Sequence, residues 1–291
     1  MPVLLMTVWL TGCVQEELGS TPSPTGNGIR FTLTVPDVNL PSVSSRTMTG
    51  TGTAKKEDEI ETVDILVFDM SKTPAVYLEC VSATGVTQDL ADNSTVSFSA
   101  VLSPTTASTC IVVVANKELD NIVPGFIKGT TTKVEAMEKM LHAQTGKWLA
   151  DGSTTDGYTR IPMYGEKVIS KITPSMDPIT GINMKRMLAR IDIRNNSATS
   201  NFTVEEVYLA NYNTTGYIAP AWNTNGQVTD PAPDTPVLPV NSGKMTEEGD
   251  AILYSVNGNT PYEGEIYTFE SIAAEDGGGP AKPVVQQQHR A

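Results

Sequence analysis

Residues 29–35 read IRFTLTV, and every second residue in this stretch is large and apolar. Successive side chains of a β-strand point to opposite faces, so the alternation predicts a strand with Ile29, Phe31, Leu33 and Val35 on one buried face. Few other segments of the chain alternate as cleanly. The stretch therefore indicates a protein whose strands cover a core on one side.

Further strand patterns follow at short intervals around one helical pattern. Residues 110–115, CIVVVA, are apolar throughout, which is typical of a strand in the middle of a sandwich. Residues 134–144 predict a helix, because apolar residues recur on one face and Thr132 with Glu135 forms a capping box. The other strands are expected at residues 63–68, 76–80, 96–102, 161–166, 167–172, 187–194, 202–210, 251–254 and 265–269.

Length and composition indicate the domain organisation. The chain has 291 residues, more than one compact sandwich needs, and its 23 glycines and 19 prolines are typical of short strands joined by turns. We expect two β domains, over residues 29–175 and 185–291, with a hinge at 173–184. Residues 213–250 are rich in Pro, Asn, Asp and Thr and predict a long surface excursion.

The charge balance excludes one class of partner. The chain carries 33 acidic and 20 basic residues, for a formal charge of −13. Such a charge repels phosphate backbones and anionic membranes at long range. Nucleic acid is therefore not expected as a partner.

The first residues are similar to a bacterial export signal. Residues 3–10, VLLMTVWL, are apolar but too short to span a bilayer, and they run into Cys13 through the sequence LTGC. This is the lipobox pattern of bacterial lipoproteins, in which the cysteine carries a diacylglyceryl group that holds the protein on a membrane. The alternative is a buried strand with an incidental cysteine. No Lys or Arg precedes the apolar run, so we expect the true start upstream, and residues 14–28 predict a flexible tether.

Residues suited to catalysis or metal binding are scarce. The chain has two histidines, His142 and His289, and it lacks the common metalloprotease, serine-hydrolase and P-loop motifs. Residues 151–157 resemble a calcium loop, but Pro162 stands where such a loop needs its last carboxylate, which favours a polar turn. A pair of catalytic carboxylates, as in glycosidases, is the enzymatic alternative that the sequence leaves open. We predict that the protein is not an enzyme and holds neither a metal nor another cofactor.

Two further cysteines, Cys80 and Cys110, lie in predicted strands. An exported protein meets an oxidising compartment, which permits a disulfide between them. Two separate buried thiols are the alternative, and the one that we favour.

A series of motifs runs across nearly the whole chain in a recognisable order. After the lipobox at Cys13 and an exposed loop that carries Arg46 come the segments VDILVFD at 63–69, IVVVAN at 111–116, IPMYGE at 161–166, RMLARIDI at 186–193, VYLAN at 207–211 and IYTFE at 266–270. In this order the motifs resemble the fimbrillin family, the subunits of type V pili in Bacteroidetes-type bacteria.

The resemblance implies two transthyretin-like β-sandwich domains, with one short helix in the first, and a route of assembly. Fimbrillins travel to the outer membrane as lipoproteins, and a trypsin-like protease then cuts after an Arg and removes the first strand, leaving a groove that a neighbouring subunit fills. In this chain the cut would separate Arg46 from Thr47, and the removable strand would be residues 29–35. The implied partners are other pilus subunits, the protease, the outer membrane through the lipid, and a host or bacterial surface ligand. Without the resemblance, residues 29–35 are simply the first strand of a stable sandwich.

The end of the chain departs from the family pattern. Fimbrillins continue past the IYTFE-like strand with further strands, including the segment donated to the next subunit. Residues 278–291, GGPAKPVVQQQHRA, show little apolar alternation. We therefore expect the second sandwich to be incomplete.

A different class of function is a lipid-anchored glycan-binding protein. In that case Trp148, Trp222, Tyr212 and Tyr217 would stack on sugars. Aromatic residues make up only 6% of the chain, and scattered Trp and Tyr more often pack in cores and loops. The sequence thus favours the pilus subunit over the glycan-binding protein.

Overall fold

The computed structural model of the chain describes residues 28–35, 58–89, 95–144, 146–148, 160–193, 202–229, 236–240, 251–255, 262–271 and 282–289. Most of the elements are strands. In chain order they are β1 (Ile29–Thr34), β2 (Val63–Asp69), β3 (Val76–Ser82), β4 (Thr84–Gln88), β5 (Thr95–Ala100), β6 (Thr109–Ala115), α1 (Lys133–Lys139), β7 (Leu141–Ala143), β8 (Met163–Ile169), β9 (Ile179–Asn183), β10 (Lys185–Arg186), β11 (Ala189–Ile193), β12 (Phe202–Ala210), β13 (Thr215–Tyr217), β14 (Ile252–Ser255), β15 (Tyr262–Thr268) and β16 (Lys282–His289).

Two sheets of the first half face each other across an apolar core. One sheet has the order β4-β5-β1-β9 and the other the order β10-β8-β6-β2-β3. Alternate apolar residues of β1 and β5 together with Ile179 and Ile182 of β9 on one side, and alternate apolar residues of β2 and β6 on the other, supply the core. This is the arrangement that alternating strands favour, because each sheet must bury its apolar face. The prediction of a mainly β, sandwich-type fold is confirmed.

Strand β6 explains why one segment is apolar throughout. All seven of its residues are buried, and it lies at the centre of the five-stranded sheet, between β8 and β2. Ile111 and Val113 face the sandwich core, whereas Cys110 and Val112 face a second core on the other side of the sheet. A strand covered on both faces needs no polar alternation. Its predicted place in the middle of the sandwich is confirmed.

Helix α1 lies over this second core and is shorter than the sequence predicts. Its predicted cap is confirmed, since the Thr132 side chain accepts a hydrogen bond from the Glu135 N–H at 3.2 Å and the Glu135 carboxylate accepts one from the Thr132 N–H at 2.8 Å. The helix ends at Lys139, and the next residues form β7, which pairs with β13. Pairing with a distant strand therefore replaces the last predicted turn of the helix.

Residues 173–184, which were expected to form a hinge, contain the strand β9. This strand pairs in parallel with β1, and Ile179 and Ile182 are both buried in the sandwich core. Gly181 has a φ of +70°, and the register shifts beside it, so two residues three apart face the same way. The bulge removes the alternation by which the strand would have been recognised.

The predicted surface excursion at 213–250 is wrong for its first part. Strand β13 pairs with β7, and Ile218 and Ala219 pack into the second core. Gly216 lies so close to Phe269 that a Cβ at this position would approach that ring to 2.5 Å. Residues 213–219 are therefore packed against the body, and residues 230–235 and 241–250 lie outside the described part of the chain.

The second half forms smaller sheets. Strands β11 and β15 pair, and β12 lies between β14 and β16. Residues 282–289, for which little strand pattern was expected, form β16 and pair antiparallel with β12. Residues from both sides of the predicted domain boundary, such as Phe68 and Phe269, share the second core, and the division into two domains stays a prediction.

The two described cysteines are free thiols. Cys80 lies on β3 and Cys110 on β6, with β2 between them. Two strand spacings place the residues about 10 Å apart, beyond the ~7 Å that a disulfide spans. Burial raises the pKa of Cys80 to about 12 and that of Cys110 to about 11, so both thiols are protonated and unreactive at neutral pH.

Candidate functional site

The first strand occupies an interior position in its sheet. Strand β1 pairs antiparallel with β5 over six residues, from Ile29 opposite Ala100 to Thr34 opposite Thr95. On its other side it pairs in parallel with β9, with Phe31 opposite Ile179. We call the space between β5 and β9 the slot. Its occupant makes main-chain hydrogen bonds to strands on both sides.

The inward face of β1 is fully buried, as the sequence predicts. Relative exposures are 3% for Ile29, 1% for Phe31, 0% for Leu33 and 1% for Val35. Burying a large apolar side chain contributes about 1.5–3 kcal/mol, so the four together contribute roughly 6–12 kcal/mol. The slot is therefore an apolar trench that this strand fills.

An aromatic pair marks the second position of the slot. The rings of Phe31 and Phe98 stack with centroids 5.0 Å apart and planes inclined by 8°. They belong to residues directly opposite each other on β1 and β5. The other two inward-facing pairs match aliphatic side chains, with Ile29 opposite Ala100 and Leu33 opposite Val96.

The outer face of the slot is polar. Arg30 is exposed and Thr32 is half-buried. Together with residues of β4, β5 and the segment before β9 they line a shallow depression of about 190 Å³. Most of the lining residues are Ser, Thr, Gly or Pro, and the two aromatic ones, Phe31 and Phe98, are buried and expose no ring.

The two walls of the slot are tied to the opposite sheet. Beyond β9, the chain enters β10, which pairs with β8 of the opposite sheet. On the other side, β3 passes into β4 through Ala83 alone, and the Ala83 N–H donates to the Val63 carbonyl at 2.8 Å. Both corners of the sandwich are thus closed by chain crossings. The walls therefore have attachments that do not depend on β1.

The chain that returns after β1 is held by polar side chains. Asp58 forms an ion pair with Arg186. The Gln88 amide donates to the Asp58 carbonyl at 2.7 Å and accepts from the Ile60 N–H at 3.0 Å. These contacts hold residues 58–60 to the body independently of β1.

A second set of contacts holds the same returning segment. Arg160 forms ion pairs with Glu59 at 3.1 Å and with Glu61 at 2.6 Å. Asn116, in the left-handed region with a φ of 58°, donates to the Glu59 carbonyl at 2.7 Å and accepts from the Glu61 N–H at 3.0 Å. A cut between β1 and residue 58 would leave this segment in place.

A buried ion pair joins the helix to the central sheet. The Lys133 side chain is 1% exposed, and its ammonium lies 2.5 Å from the Glu166 carboxylate. The Tyr164 hydroxyl donates to the same carboxylate at 2.6 Å, and burial followed by the Glu166 charge raises the pKa of Tyr164 well above its usual value. Every polar group in the cluster has a partner, so its role is to hold α1 on β8.

The predicted sugar-binding aromatics do not form a platform. Trp148 and Tyr212 are buried, at 3% and 6% exposure. Tyr217 and Trp222 are half-buried and pack edge to face at 4.9 Å. These rings pack against other residues of the protein. They therefore do not provide the sugar-stacking surface that the glycan-binding alternative requires.

His142 lies at the contact between the two halves. Its ring packs 5.0 Å from Trp148 and 6.5 Å from Phe269. Burial, followed by the charge of Lys117, lowers its pKa from 6.5 to about 4. The folded protein therefore keeps this imidazole neutral at neutral pH.

The low pKa of His142 predicts a loss of stability in acid. Below about pH 6.5 the unfolded chain binds a proton that the folded chain does not, so stability falls as the pH drops from about 6.5 to about 4. Since the ring is only partly buried, we expect a loss of about 1–2 kcal/mol from this residue. Denaturation of wild type and His142→Phe at pH 7 and pH 4.5 measures it. Equal losses of stability between pH 7 and pH 4.5 in the two proteins would contradict the attribution of this loss to His142.

The remaining predicted site residues lie outside the described part of the chain. These are Cys13, Arg46 and Thr47. Among the described residues, no group of three or more His, Cys, Asp or Glu could hold a metal ion. In the same ranges no helix is long and apolar enough to cross a membrane.

Only one of the two walls of the slot, β5, could be predicted from the sequence. Phe98 belongs to an alternating segment and could be assigned to an inward face. Ile179 and Ile182 carried no such signal, because the bulge at Gly181 breaks the alternation. That β1 is an interior strand could therefore not be predicted.

Comparisons with known proteins identify the family. The family model described as "Fimbrillin-A associated anchor proteins Mfa1 and Mfa2" matches residues 23–276. No curated protein sequence is a significant match.

Comparison with solved structures gives matches of low sequence identity. A candidate cell adhesion protein from Parabacteroides distasonis is 17% identical with a TM-score of 0.49, over 91% of this chain and 76% of that one. A fimbrial assembly protein from the same species is 13% identical with a TM-score of 0.39, over 89% and 85%. Candidate polysaccharide-binding proteins from Bacteroides thetaiotaomicron are 12% identical with a TM-score of 0.38, over 89% and 76%.

The match to the family model covers most of the chain and confirms the resemblance that the motifs indicated. Its description names anchor proteins that are associated with fimbrillin-A, a protein of fimbriae. The chain belongs to the family of fimbrillin-A associated anchor proteins.

Proposed function

We propose that the chain is a structural subunit of a cell-surface fimbria that is exported as a lipoprotein through Cys13. A trypsin-like protease cuts between Arg46 and Thr47, β1 leaves the slot, and a strand of another subunit takes its place. The buried, interior position of β1 carries this proposal. A strand that is paired on both sides leaves a slot with unpaired main-chain groups on both walls. Only another strand can pair well with both of them.

The connection after β1 suits such an exchange. Strand β1 ends at Thr34, and Asp58 and the residues after it are held to the body by their own contacts, so a cut between these points separates β1 from the rest of the fold. An empty slot would expose the apolar core residues that β1 covers, and a row of unpaired main-chain groups on each of β5 and β9. Both features favour strand addition, as in other complexes where an extended segment completes a sheet.

The order of the segments links membrane attachment to the slot. Cys13 precedes β1, and Arg46 follows it. Once the chain is cut after Arg46, the lipid is connected to the body only through the non-covalent contacts of β1 in the slot. An uncut copy therefore stays on the membrane and has not yet assembled. A copy that has lost β1 is a released subunit.

Release from a membrane therefore requires both the cut after Arg46 and the replacement of β1 in the slot. We expect full-length lipoprotein in vesicles to stay bound after cutting by an Arg-specific protease, and to leave the vesicles when an excess of a peptide of residues 28–36 replaces β1. Co-sedimentation of the body with the vesicles measures the release. Arg46→Ala should prevent it, while the loop control Lys55→Ala with Lys56→Ala should not.

Two results would contradict the proposal. One is release by cutting alone, because β1 would then not be firmly seated. The other is retention of the cut protein at every peptide concentration, because the slot would then not exchange its strand.

A further inference from the structure

Phe31 differs from the other buried residues of β1 in what it contacts. It is the aromatic member of the inward-facing set, and its ring stacks on Phe98. On its other side the backbone partner is Ile179 of β9. The second position of the slot is thus formed by an aromatic ring on one wall and an aliphatic side chain on the other.

The neighbouring positions have no such ring. Ile29 lies opposite Ala100, and Leu33 lies between Val96 on β5 and Ile182 on β9. Burial alone therefore explains aliphatic residues at the first and third positions. It does not explain an aromatic residue at the second position, where a flat partner covers the face of the Phe98 ring.

We propose that the slot selects a strand that carries an aromatic residue opposite Phe98, between aliphatic residues two positions before and two positions after it. This inference rests on the proposed strand exchange and specifies its partner. The occupant is an extended segment with the pattern aliphatic, aromatic, aliphatic on alternate residues. Stacked aromatic pairs add to area burial and are sensitive to geometry, so they discriminate between strands of equal hydrophobicity.

The pattern also bears on which strands of the chain can fill the slot. Strand β16 reads KPVVQQQH. Its two valines are adjacent, and it contains no Phe, Tyr or Trp. We therefore expect that β16 of a second copy does not occupy the slot, and that the occupant comes from a segment with the pattern of β1.

Exchange of β1 in the full-length chain tests the inference. A recognition sequence for a site-specific protease is placed after Arg46, the chain is cut, and labelled peptides of residues 28–36 compete for the slot. This design does not depend on which protease acts naturally. Fluorescence anisotropy gives the relative affinity of each peptide.

The peptides isolate the aromatic position. We expect Phe31→Leu to bind about 3- to 10-fold more weakly than the native peptide. A peptide in which Ile29 and Phe31 are exchanged has the same composition and should bind at least about 10-fold more weakly. A peptide with the sequence of β16 should not bind measurably.

A change on the opposite wall supplies the specific control. In the Phe98→Leu protein the preference for Phe over Leu at position 31 should fall to less than about 2-fold, because the stacking partner is gone. The Phe68→Leu protein loses a buried phenylalanine from the second core and should keep the full preference. The ratio of the affinities for the native and the Phe31→Leu peptides is compared between the two protein variants. This comparison separates selectivity from any loss of stability.

The outcomes distinguish the inference from the function on which it rests. Equal binding of the native, Phe31→Leu and exchanged peptides would overturn the aromatic selection and leave strand exchange intact. Binding of no peptide to the cut chain would overturn both. Loss of the preference in Phe68→Leu as well as in Phe98→Leu would also overturn the selection.

Discussion

Phe31→Ala is expected to lower the free energy of unfolding by about 3–5 kcal/mol, the range for removing a fully buried aromatic side chain. The residue is 1% exposed and stacks on Phe98, so the change leaves a cavity in the sandwich core and an uncovered ring. Urea denaturation of the uncut protein measures the effect.

The neighbouring residue provides a matched control for this change. Thr32 lies on the same strand with its side chain on the polar outer face. Thr32→Ala should change the stability by no more than about 0.5 kcal/mol. A loss below about 1 kcal/mol for Phe31→Ala would show that β1 does not complete the core as described.

Glu166→Gln is expected to destabilise the protein by about 3 kcal/mol or more, because it leaves the Lys133 ammonium buried without its counter-charge. Lys133 is 1% exposed on its side chain, whereas Glu166 is 20% exposed, which places the effect near the lower end of the range for buried pairs. Denaturation at neutral pH measures it.

The double variant tests whether the loss comes from the unpaired charge. Lys133→Met combined with Glu166→Gln should be more stable than Glu166→Gln alone, since no buried charge remains. Lys128→Met changes an exposed lysine and should have an effect within about 0.5 kcal/mol. Strict additivity of the two single changes would contradict the account of the pair.

How far the sequence predicts the structure depends on whether a segment is governed by local pattern or by distant contacts. The period of two in β1 and the continuous apolar run in β6 gave the correct faces and positions, because burial of a sheet face follows directly from the alternation. The cap formed by Thr132 and Glu135 was likewise readable, since it involves residues three apart.

Predictions failed where a distant segment determines the local structure. Residues 141–143 continue a helical pattern but form a strand because β13 pairs with them. Residues 213–219 look like a polar loop but pack in the core because Gly216 allows Phe269 to approach. Strand β9 was missed because its bulge at Gly181 hides its two buried isoleucines.

The same distinction applies to the site. The four inward residues of β1 were predicted from the sequence and are buried as expected. The interior position of β1 depends on β9, so only the structure shows that the slot has two walls. The roles of Cys13, Arg46 and Thr47 stay predictions, since these residues lie outside the described ranges.

We propose that β1 is covalently separated from the body and replaced when the subunit assembles. N-terminal sequencing and intact-mass measurement of this chain, isolated from fimbriae on the cell surface, test it most directly. We expect the assembled chain to begin at Thr47 and residues 29–35 to be absent from the fimbriae. Recovery of residues 29–35 in equal amount with the body, still joined to it through Arg46, would contradict the account.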